Sequence, residues 1–406
     1  MNTSINRSWL ANKLMPVIIV ASLLLFSCKK NDSPHHPSSY PSTVLDKWIT
    51  MQLRLMRNAT GIANQAFSRH FAYSGITAIE AMAPGLEGRR FLTDKWNGLS
   101  GLPFADRSKN YYYPASVNAA MASINRLMFP NASVVDKAAI DSLENALKAE
   151  FNKPASLITV SSDFGKAVAQ AVFNWSETDG YKNASAPYTP PVGVGIWTPT
   201  PPNNAAASTP YWGNNRPIVI GSTNNAQPPA PPAYSTDPAS PFYQMVKEVY
   251  DVSTTLTDDQ KAMAIFWRDV PGVSSPGHWL SILQQLLKQK NASLDELAVA
   301  YALAGSALND ALIVCFKAKY QYMVVRPITY IRGVMEQTSW TPYLVNTPPH
   351  PEYASAHSAL SMAAAKVLEK LVGNVSNFTD HTYDYMGLAP RTYSSLSAIA
   401  EEAGKS

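Results

Sequence analysis

The sequence contains only two cysteines among its 406 residues, Cys28 and Cys315. If Cys28 lies at an export-processing site, as argued below, the mature chain keeps no pair for an intramolecular disulfide. No His/Cys cluster has the spacing of a zinc site, and neither an EF-hand loop nor a P-loop is present. These absences leave the common zinc, calcium and nucleoside-triphosphate signatures without support.

Charged residues are also few, at 15% of the chain, and the net charge of +4 is not concentrated in any long basic run. Nucleic acid is therefore not an expected partner. The hydrophobic content of 46% is enough for a large core in one or two domains. No internal repeat is evident and no period-two strand pattern persists, so we predict an all-α, multi-helix bundle.

The N-terminus has the organisation of an export signal. Arg7 and Lys13 precede an apolar run over residues 15–26, which is too short for a comfortable transmembrane helix. The run ends in Leu-Phe-Ser-Cys at Cys28, which resembles a bacterial lipobox. The prediction is a protein anchored by a lipid to a bacterial membrane, at the periplasmic or cell-surface side. The alternative is an ordinary cleaved signal with a buried cysteine.

This reading divides the chain into a signal peptide (1–27), a polar tether (28–42) and a helical domain (43–406). Removal of the signal takes away two cations and no acids, so the mature charge would be +4 − 2 = +2. His35 and His36 then belong to the tether and are not expected to bind a metal.

Helical periodicity covers most of the domain. Predicted helices span 44–59, 63–83, 115–129, 133–151, 161–178, 241–256, 258–268, 276–290, 293–325, 353–372 and 391–403. Residues 180–240 are instead rich in Pro, Asn, Gly, Ser and Thr, with Trp197, Tyr211 and Trp212 embedded in them. We predict a long ordered loop that wraps the helical body, with a flexible surface excursion as the alternative.

Two cations at the C-terminal end of the longest predicted helix are candidates for anion binding. Lys319 and Arg326 are seven residues apart, a spacing that puts them on one face of a helix, two turns apart. Turned inward, the two charges would repel each other unless an anion compensated them. Pro327 is expected to end the helix beside Arg326. The alternative is a solvated basic face, with Lys317 and Arg332 also pointing outward.

A second candidate element is Ser355-Ala356-His357, at the start of the next predicted helix. The first turn of a helix offers free N–H groups to an anion, and the serine hydroxyl and the imidazole add a donor and a titratable group. The alternative is a simple cap or a packed core residue. Another helix-start histidine, His278, follows Ser275 but lacks a neighbouring Lys/Arg pair, so we place it behind the site or in a structural role.

Taken together, these residues resemble a known family. Lys319-x6-Arg326-Pro327 followed by P-x-Y-x-S-x-H resembles the first two motifs of vanadium-dependent haloperoxidases and type 2 phosphatidic acid phosphatases. The bacterial chloroperoxidase-like branch is the most similar, and the F-W-R-D…P-G-H-W segment extends the resemblance over most of the chain after about residue 43. The resemblance implies one oxyanion site, which holds vanadate in the peroxidases and phosphate in the phosphatases.

The resemblance also implies roles for particular residues. Lys319 and Arg326 would bind the oxyanion oxygens, and His357 would act as the acid–base residue. Further donors would be the Ser355 hydroxyl and the Ala356 N–H. Phe316 would line the halide side, and His278 could lie there or behind the site.

Three functions stay open on this evidence. The first is oxidation of a halide by hydrogen peroxide with vanadate as cofactor. The second is hydrolysis of a phosphate monoester at the same site, since phosphate and vanadate are nearly isosteric. The third is a non-catalytic surface lipoprotein. Neither the halide or ester nor the oligomeric state follows from the sequence.

Two features depart from the family pattern. Ala356 stands where a glycine is usual, and its Cβ disfavours positive φ. The third motif, S-R-x-x-x-G-x-H, should supply another arginine and the vanadium-ligating histidine after Gly404, where the sequence reads Lys405-Ser406. His381 comes too early to replace that histidine. We therefore expect a fragment or truncated product, without the vanadium ligand and inactive in this form, whose helical domain is incomplete.

Overall fold

Apolar side chains at helical intervals fold nearly the whole domain into α-helices. The computed structural model describes residues 36–86, 90–106, 108–270 and 272–406. The predicted signal peptide, Cys28 and His35 lie outside these ranges. The helices of the described ranges are α1 Thr43–Asn58, α2 Ala66–Glu80, α3 Arg90–Thr93, α4 Tyr113–Met128, α5 Val134–Ala149, α6 Ala155–Ser176, α7 Pro241–Thr254, α8 Asp258–Trp267, α9 Ser274–Gln289, α10 Leu294–Tyr322, α11 Pro327–Gly333, α12 Ala356–Val372 and α13 Leu396–Lys405. The predicted all-α class is confirmed.

The central element is α10, which packs against α2 on one side and α12 on another. A capping box between Ser293 and Glu296 fixes its start. The helix is long and apolar enough to cross a membrane, but 72% of its most apolar window is buried inside the fold. In the described part of the chain, α10 is therefore the core helix around which the others pack.

Two glycines let α2 and α10 approach closely. A Cβ added at Gly75 would lie 2.6 Å from the backbone nitrogen of Ala302, and one added at Gly305 would lie 2.7 Å from the Cα of Ala72. Real Cβ atoms do not occupy such positions, so both helices need a residue without a side chain at the crossing. The close crossing places α10, with its C-terminal cation, at a fixed depth in the bundle.

The segment 180–240 is ordered and wraps the helices, as predicted. Trp197 and Trp212 are completely buried, and the backbone N–H of Trp197 donates to the Met323 carbonyl over 2.7 Å. The Asp310 carboxylate on α10 accepts the N–H groups of Ile218 and Val219, as well as the Ser222 hydroxyl. Asp310 on α10 and Met323, the residue that follows this helix, therefore hold the loop in place.

The structure differs from the sequence prediction in several elements, and helix α6, for example, begins at Ala155 and not at 161. Helix α10 ends at Tyr322 and not at 325, because Met323 takes a left-handed conformation with φ of 50°. Helices α3 and α11 were not predicted. Residues 391–403 do not form one helix, since a short strand precedes Ser395, which caps α13 through its side chain.

A two-stranded antiparallel hairpin therefore accompanies the helices. Strand β1 (Phe378–Asp380) pairs with β2 (Arg391–Tyr393). Each strand is three residues long, too short for the alternation of polar and apolar residues to show in the sequence. The hairpin places Asp380, which is fully buried, against α9.

Residues 36–42, the second part of the predicted tether, lie against the helical body. Pro37 is buried, and the Leu294 N–H donates to the Tyr40 carbonyl over 2.9 Å. The His36 side chain is exposed and caps the short turn that follows it, through a hydrogen bond from the Ser38 N–H. These contacts lead the chain directly into α1.

Candidate active site

The two candidate cations come from separate helices. Lys319 lies in the last turn of α10, whereas Arg326 is the N-cap residue of α11 and follows the left-handed turn at Met323. The predicted shared helix face is therefore wrong. Both side chains nevertheless turn inward and meet the same chain segment, residues 348–352. The outward-facing alternative is also wrong for both, since Lys319 is 1% exposed and Arg326 is 7% exposed.

The Lys319 ammonium is buried among carbonyl groups. Its Nζ donates to the carbonyl oxygens of Pro351 and Glu352, over 2.8 and 2.9 Å. In the described residues, no carboxylate lies within 4 Å of Nζ. Burial, followed by the Arg326 charge, lowers the pKa of Lys319 from 10.5 to about 8. The site therefore carries a cation whose charge no neighbouring carboxylate neutralises directly.

Arg326 contacts the same segment through several hydrogen bonds from its guanidinium group. Its Nε donates to the His350 carbonyl (2.7 Å), and its Nη2 donates to the Pro348 carbonyl (3.0 Å) and to His350 Nδ1 (2.9 Å). Its Nη1 lies 2.5 Å from the carboxylate of Glu352, which is 39% exposed. The two buried cations thus have only one carboxylate near them among the described residues, and that carboxylate is partly exposed.

Ser355-Ala356-His357 begins a helix, as predicted. Ser355 is the N-cap of α12, and its hydroxyl accepts the Ser358 N–H over 3.2 Å. Ala356 is the first helical residue and is not among the residues with positive φ. The alanine in place of the usual glycine therefore causes no backbone strain, and its N–H remains one of the free donors of the first turn.

His357 is held by a segment that the sequence analysis left without a role. Its Nε2 lies 2.9 Å from the carbonyl oxygen of Trp267, at the end of α8, and 2.9 Å from the hydroxyl of Ser275, at the start of α9. Asp269, in the turn between these helices, accepts the Ser275 hydroxyl. The signal for these partners was the F-W-R-D…P-G-H-W segment, which belonged to the resemblance but contributed only His278 to the predicted site.

Another histidine, His350, lies against Arg326, and the sequence did not point to it. It is buried, and burial, then the charges of Lys319 and Arg326, and finally His357 hold its pKa well below the usual value. Its ring lies 5.3 Å from that of Phe316 between centroids. Phe316 is therefore beside the cations.

In the structure, Trp267 separates His278 from the candidate site. Its Nε2 lies 2.6 Å from Asp380 on β1, both side chains are buried, and its ring stacks on Trp267 at 4.2 Å. The backbone carbonyl of Trp267 is the group that faces His357. His278 thus supports the residue that holds His357, and in the part of the chain that the structure describes it makes no hydrogen bond or ion pair with Lys319 or Arg326.

A cleft of about 670 Å³ runs beside the site between α10, α12 and the loop near residue 220. Its lining is mostly apolar and includes Leu303, Val314 and Val367. The cleft reaches the site at Cys315 and Ala354, whose thiol and carbonyl are 3.4 Å apart. Open space therefore lies next to the N-terminus of α12.

The donor set matches an oxyanion. It combines two buried cations, a serine hydroxyl, a helix N-terminus and a histidine, all of which favour negative oxygen atoms. In the described residues, no group of three His, Cys, Asp or Glu side chains could hold a metal cation directly. Burial first, and then the charges of Lys319 and Arg326, lower the pKa of His350. The two buried cations are the feature of the site that favours an anion.

Comparison with known proteins also relates the chain to vanadium-dependent peroxidases. A family model described as the VCPO second helical-bundle domain matches residues 299–406. No curated protein matches the chain. The crystal structure described as the first bacterial vanadium-dependent iodoperoxidase is 31% identical, covers 90% of this chain and 88% of that chain, and has a TM-score of 0.80.

Two more distant structures share the fold. They are the apo and holo forms of a bacterial vanadium-dependent chloroperoxidase, each 15% identical. The apo form covers 85% of this chain and 88% of that chain with a TM-score of 0.62, and the holo form covers 84% of both with a TM-score of 0.60. With 31% identity to the iodoperoxidase over nearly its full length, the chain belongs to the vanadium-dependent haloperoxidase family.

Proposed function

We propose that this site binds vanadate and serves the oxidation of a halide by hydrogen peroxide. The observation that carries the proposal is the convergence of Lys319 and Arg326 on residues 348–352, beside a helix N-terminus that presents His357. The similarity to an iodoperoxidase makes iodide the first halide to test. The phosphate ester alternative shares the same donors, so it becomes one arm of the experiment.

The residues present fit vanadate by their chemistry. Lys319 and Arg326 would hold its oxygens with charge-assisted hydrogen bonds, and the Ser355 hydroxyl and Ala356 N–H would add neutral ones. When bound, vanadate supplies a Lewis-acid centre that activates peroxide toward halide. An anion beside Lys319 favours the charged ammonium, so binding would raise the lowered pKa of this residue.

His357 is the group suited to move a proton. It is half-buried at the second position of α12, with Nε2 held by Trp267 and Ser275. A neutral imidazole has one nitrogen that accepts a proton. His357 would take a proton from the incoming peroxide and return it to the product.

The test separates binding from turnover, because the arginine and histidine of the third motif are not among these 406 residues. Iodide oxidation is measured with vanadate and peroxide, for this chain and for its gene product with any coding sequence downstream of Ser406. Vanadate-dependent formation of oxidised iodine by the longer product supports the proposal. Phosphate ester turnover that vanadate inhibits, without iodide oxidation, would contradict it and favour the phosphatase.

The same design tests the expectation that the chain of 406 residues is inactive. We propose that it binds vanadate through the residues of the first two motifs and lacks turnover. Vanadate binding without oxidation by this chain, and oxidation by a longer gene product, is the expected pattern. Absence of both in every form would favour the non-catalytic lipoprotein.

We also propose that the protein is exported and anchored to a bacterial membrane through a lipid on Cys28. The support is the basic start, the apolar run over residues 15–26 and the lipobox-like Leu-Phe-Ser-Cys. Cells fed labelled palmitate should incorporate the label into the wild type and into Cys315→Ser but not into Cys28→Ser. Equal labelling of Cys28→Ser would contradict the anchor.

A further inference from the structure

Two polar groups surround one nitrogen atom of His357. His357 Nε2 has two polar neighbours at the same distance of 2.9 Å, the Trp267 carbonyl oxygen and the Ser275 hydroxyl. A carbonyl oxygen can only accept a hydrogen bond. The Trp267 contact is therefore a hydrogen bond only if Nε2 carries a proton.

The Ser275 hydroxyl is turned the other way by a carboxylate. Its Oγ lies 3.1 Å from Asp269 Oδ1, which also accepts the Ser275 N–H over 2.9 Å. The Asp269 carbonyl accepts the Ser274 N–H over 3.2 Å, so the turn is tied at both ends. A hydroxyl has one proton, and a carboxylate is the stronger acceptor. Ser275 Oγ is then left as a second acceptor for His357.

The Trp267 carbonyl is itself firmly placed. The indole Nε1 of the same residue donates to Glu402 on α13 over 3.0 Å, and its ring stacks on the buried His278. Trp267 is 2% exposed. The acceptor that faces His357 is thus fixed by contacts with two other helices.

We propose that Asp269, Ser275 and the Trp267 carbonyl are positioning groups that keep the proton of neutral His357 on Nε2. The nitrogen that exchanges protons with the bound oxyanion is then Nδ1. This assignment deepens the proposed function and rests on it for its catalytic meaning. The tautomer itself is a property of the protein without vanadate and can be measured alone.

The first measurement is the tautomer of the wild type. Correlation NMR of the imidazole nitrogens with the ring protons, at a pH above the ordinary histidine pKa, distinguishes protonated from unprotonated nitrogen. Loss of signals in His357→Gln assigns the residue. We expect Nε2–H in roughly tenfold excess over Nδ1–H, the preference given by about one net hydrogen bond. A predominant Nδ1–H form would overturn the proposal.

The second measurement uses a double-mutant cycle. In Asp269→Ala the Ser275 hydroxyl loses its acceptor and can donate to Nε2, so we expect the two tautomers to approach equal populations. In Ser275→Ala only the Trp267 carbonyl remains, and Nε2–H should persist. The double variant should regain the Nε2–H form. Local unfolding by Asp269→Ala would not be reversed by a second mutation, so recovery separates tautomer control from a structural role.

The outcome is independent of the proposed function. Unchanged tautomer populations in Asp269→Ala, or no recovery in the double variant, would overturn the positioning role even if the protein binds vanadate. Conversely, failure of vanadate to bind by calorimetry would contradict the proposed function while leaving the tautomer result intact.

Discussion

At the scale of single residues, the buried charge of Lys319 predicts how oxyanion binding and stability depend on pH. Burial and the neighbouring Arg326 lower its pKa to about 8, so the ammonium loses its proton as the pH rises through that value. Oxyanion binding requires the charged form and should weaken over the same range. Stability without an anion should rise between about 8 and 10.5, because the unfolded chain binds a proton that the native chain has released.

Calorimetric titration with vanadate at several pH values checks this prediction. Lys319→Arg is the control, because a guanidinium stays charged throughout the range. The ionisation of vanadate itself is common to both proteins, so the difference between the curves reports Lys319. Identical pH dependence in the two proteins would show that Lys319 does not titrate in the site.

The motif spacing predicted Lys319, Arg326, Ser355 and His357 as members of one site, and that membership stays a prediction. The helix face invoked for the two cations does not exist, because they lie on separate helices. The partners of His357 were beyond reach, because Ser275 is 82 residues away in sequence. Contacts across such a separation depend on how α9 and α12 pack, which periodicity along one chain does not encode.

At the scale of elements, the crossing of α2 and α10 predicts an unusual effect of alanine. Gly305→Ala should favour the helix by about 1 kcal/mol through propensity. The added Cβ would meet the Ala72 backbone at 2.7 Å, however, and overpacking costs about 1–3 kcal/mol. Because backbone cannot move aside as a side chain can, we expect net destabilisation of about 1–2 kcal/mol.

Chemical denaturation measures this free energy of unfolding. Gly333→Ala, at the end of α11, is the matched control, because nothing lies within 4 Å of its added Cβ. It gains helix propensity without a clash, so stability should stay the same or rise by up to about 1 kcal/mol. An increase in stability for Gly305→Ala would mean that the two helices can separate at no cost.

The pair formed by His278 and Asp380 predicts how the hairpin supports α9. Burial opposes ionisation of Asp380, but His278 and Thr382 outweigh it and hold the pKa of this carboxyl below its usual value. Stability from this group is therefore present above the usual carboxyl pKa and is lost as the pH falls through the lowered one. Asp380→Ala leaves His278 buried without its partner and should cost about 3–5 kcal/mol.

Urea unfolding tests this, with an exposed pair as the control. His381 and Asp384 lie 2.9 Å apart at the surface, so Asp384→Ala should cost at most about 1 kcal/mol. Similar losses in the two variants would contradict the role assigned to the buried pair. The helices around this pair were predictable from their apolar periodicity, whereas β1 and β2 were too short to give a signal.

At the scale of the whole molecule, the fold holds together residues that belong to distant parts of the chain. The loop over 180–240 packs on α10, the turn after α8 reaches α12, and β1 supports α9. Composition indicated that the loop was ordered, because aromatic residues are embedded in it, and the structure buries its two tryptophans completely. Its path could not be predicted, because it follows hydrogen bonds to Asp310 and Met323 that only the folded bundle presents.

Calorimetric titration of vanadate into Lys319→Ala tests the claim that two buried cations form an oxyanion site. Lys317→Ala is the control, since Lys317 lies on the same helix but is exposed. We predict saturable binding to the wild type and to Lys317→Ala, and at least a tenfold weaker affinity in Lys319→Ala, from the loss of a charge-assisted bond of about 1.5–3 kcal/mol. Absence of saturable binding, or equal affinities in all three proteins, would contradict the claim.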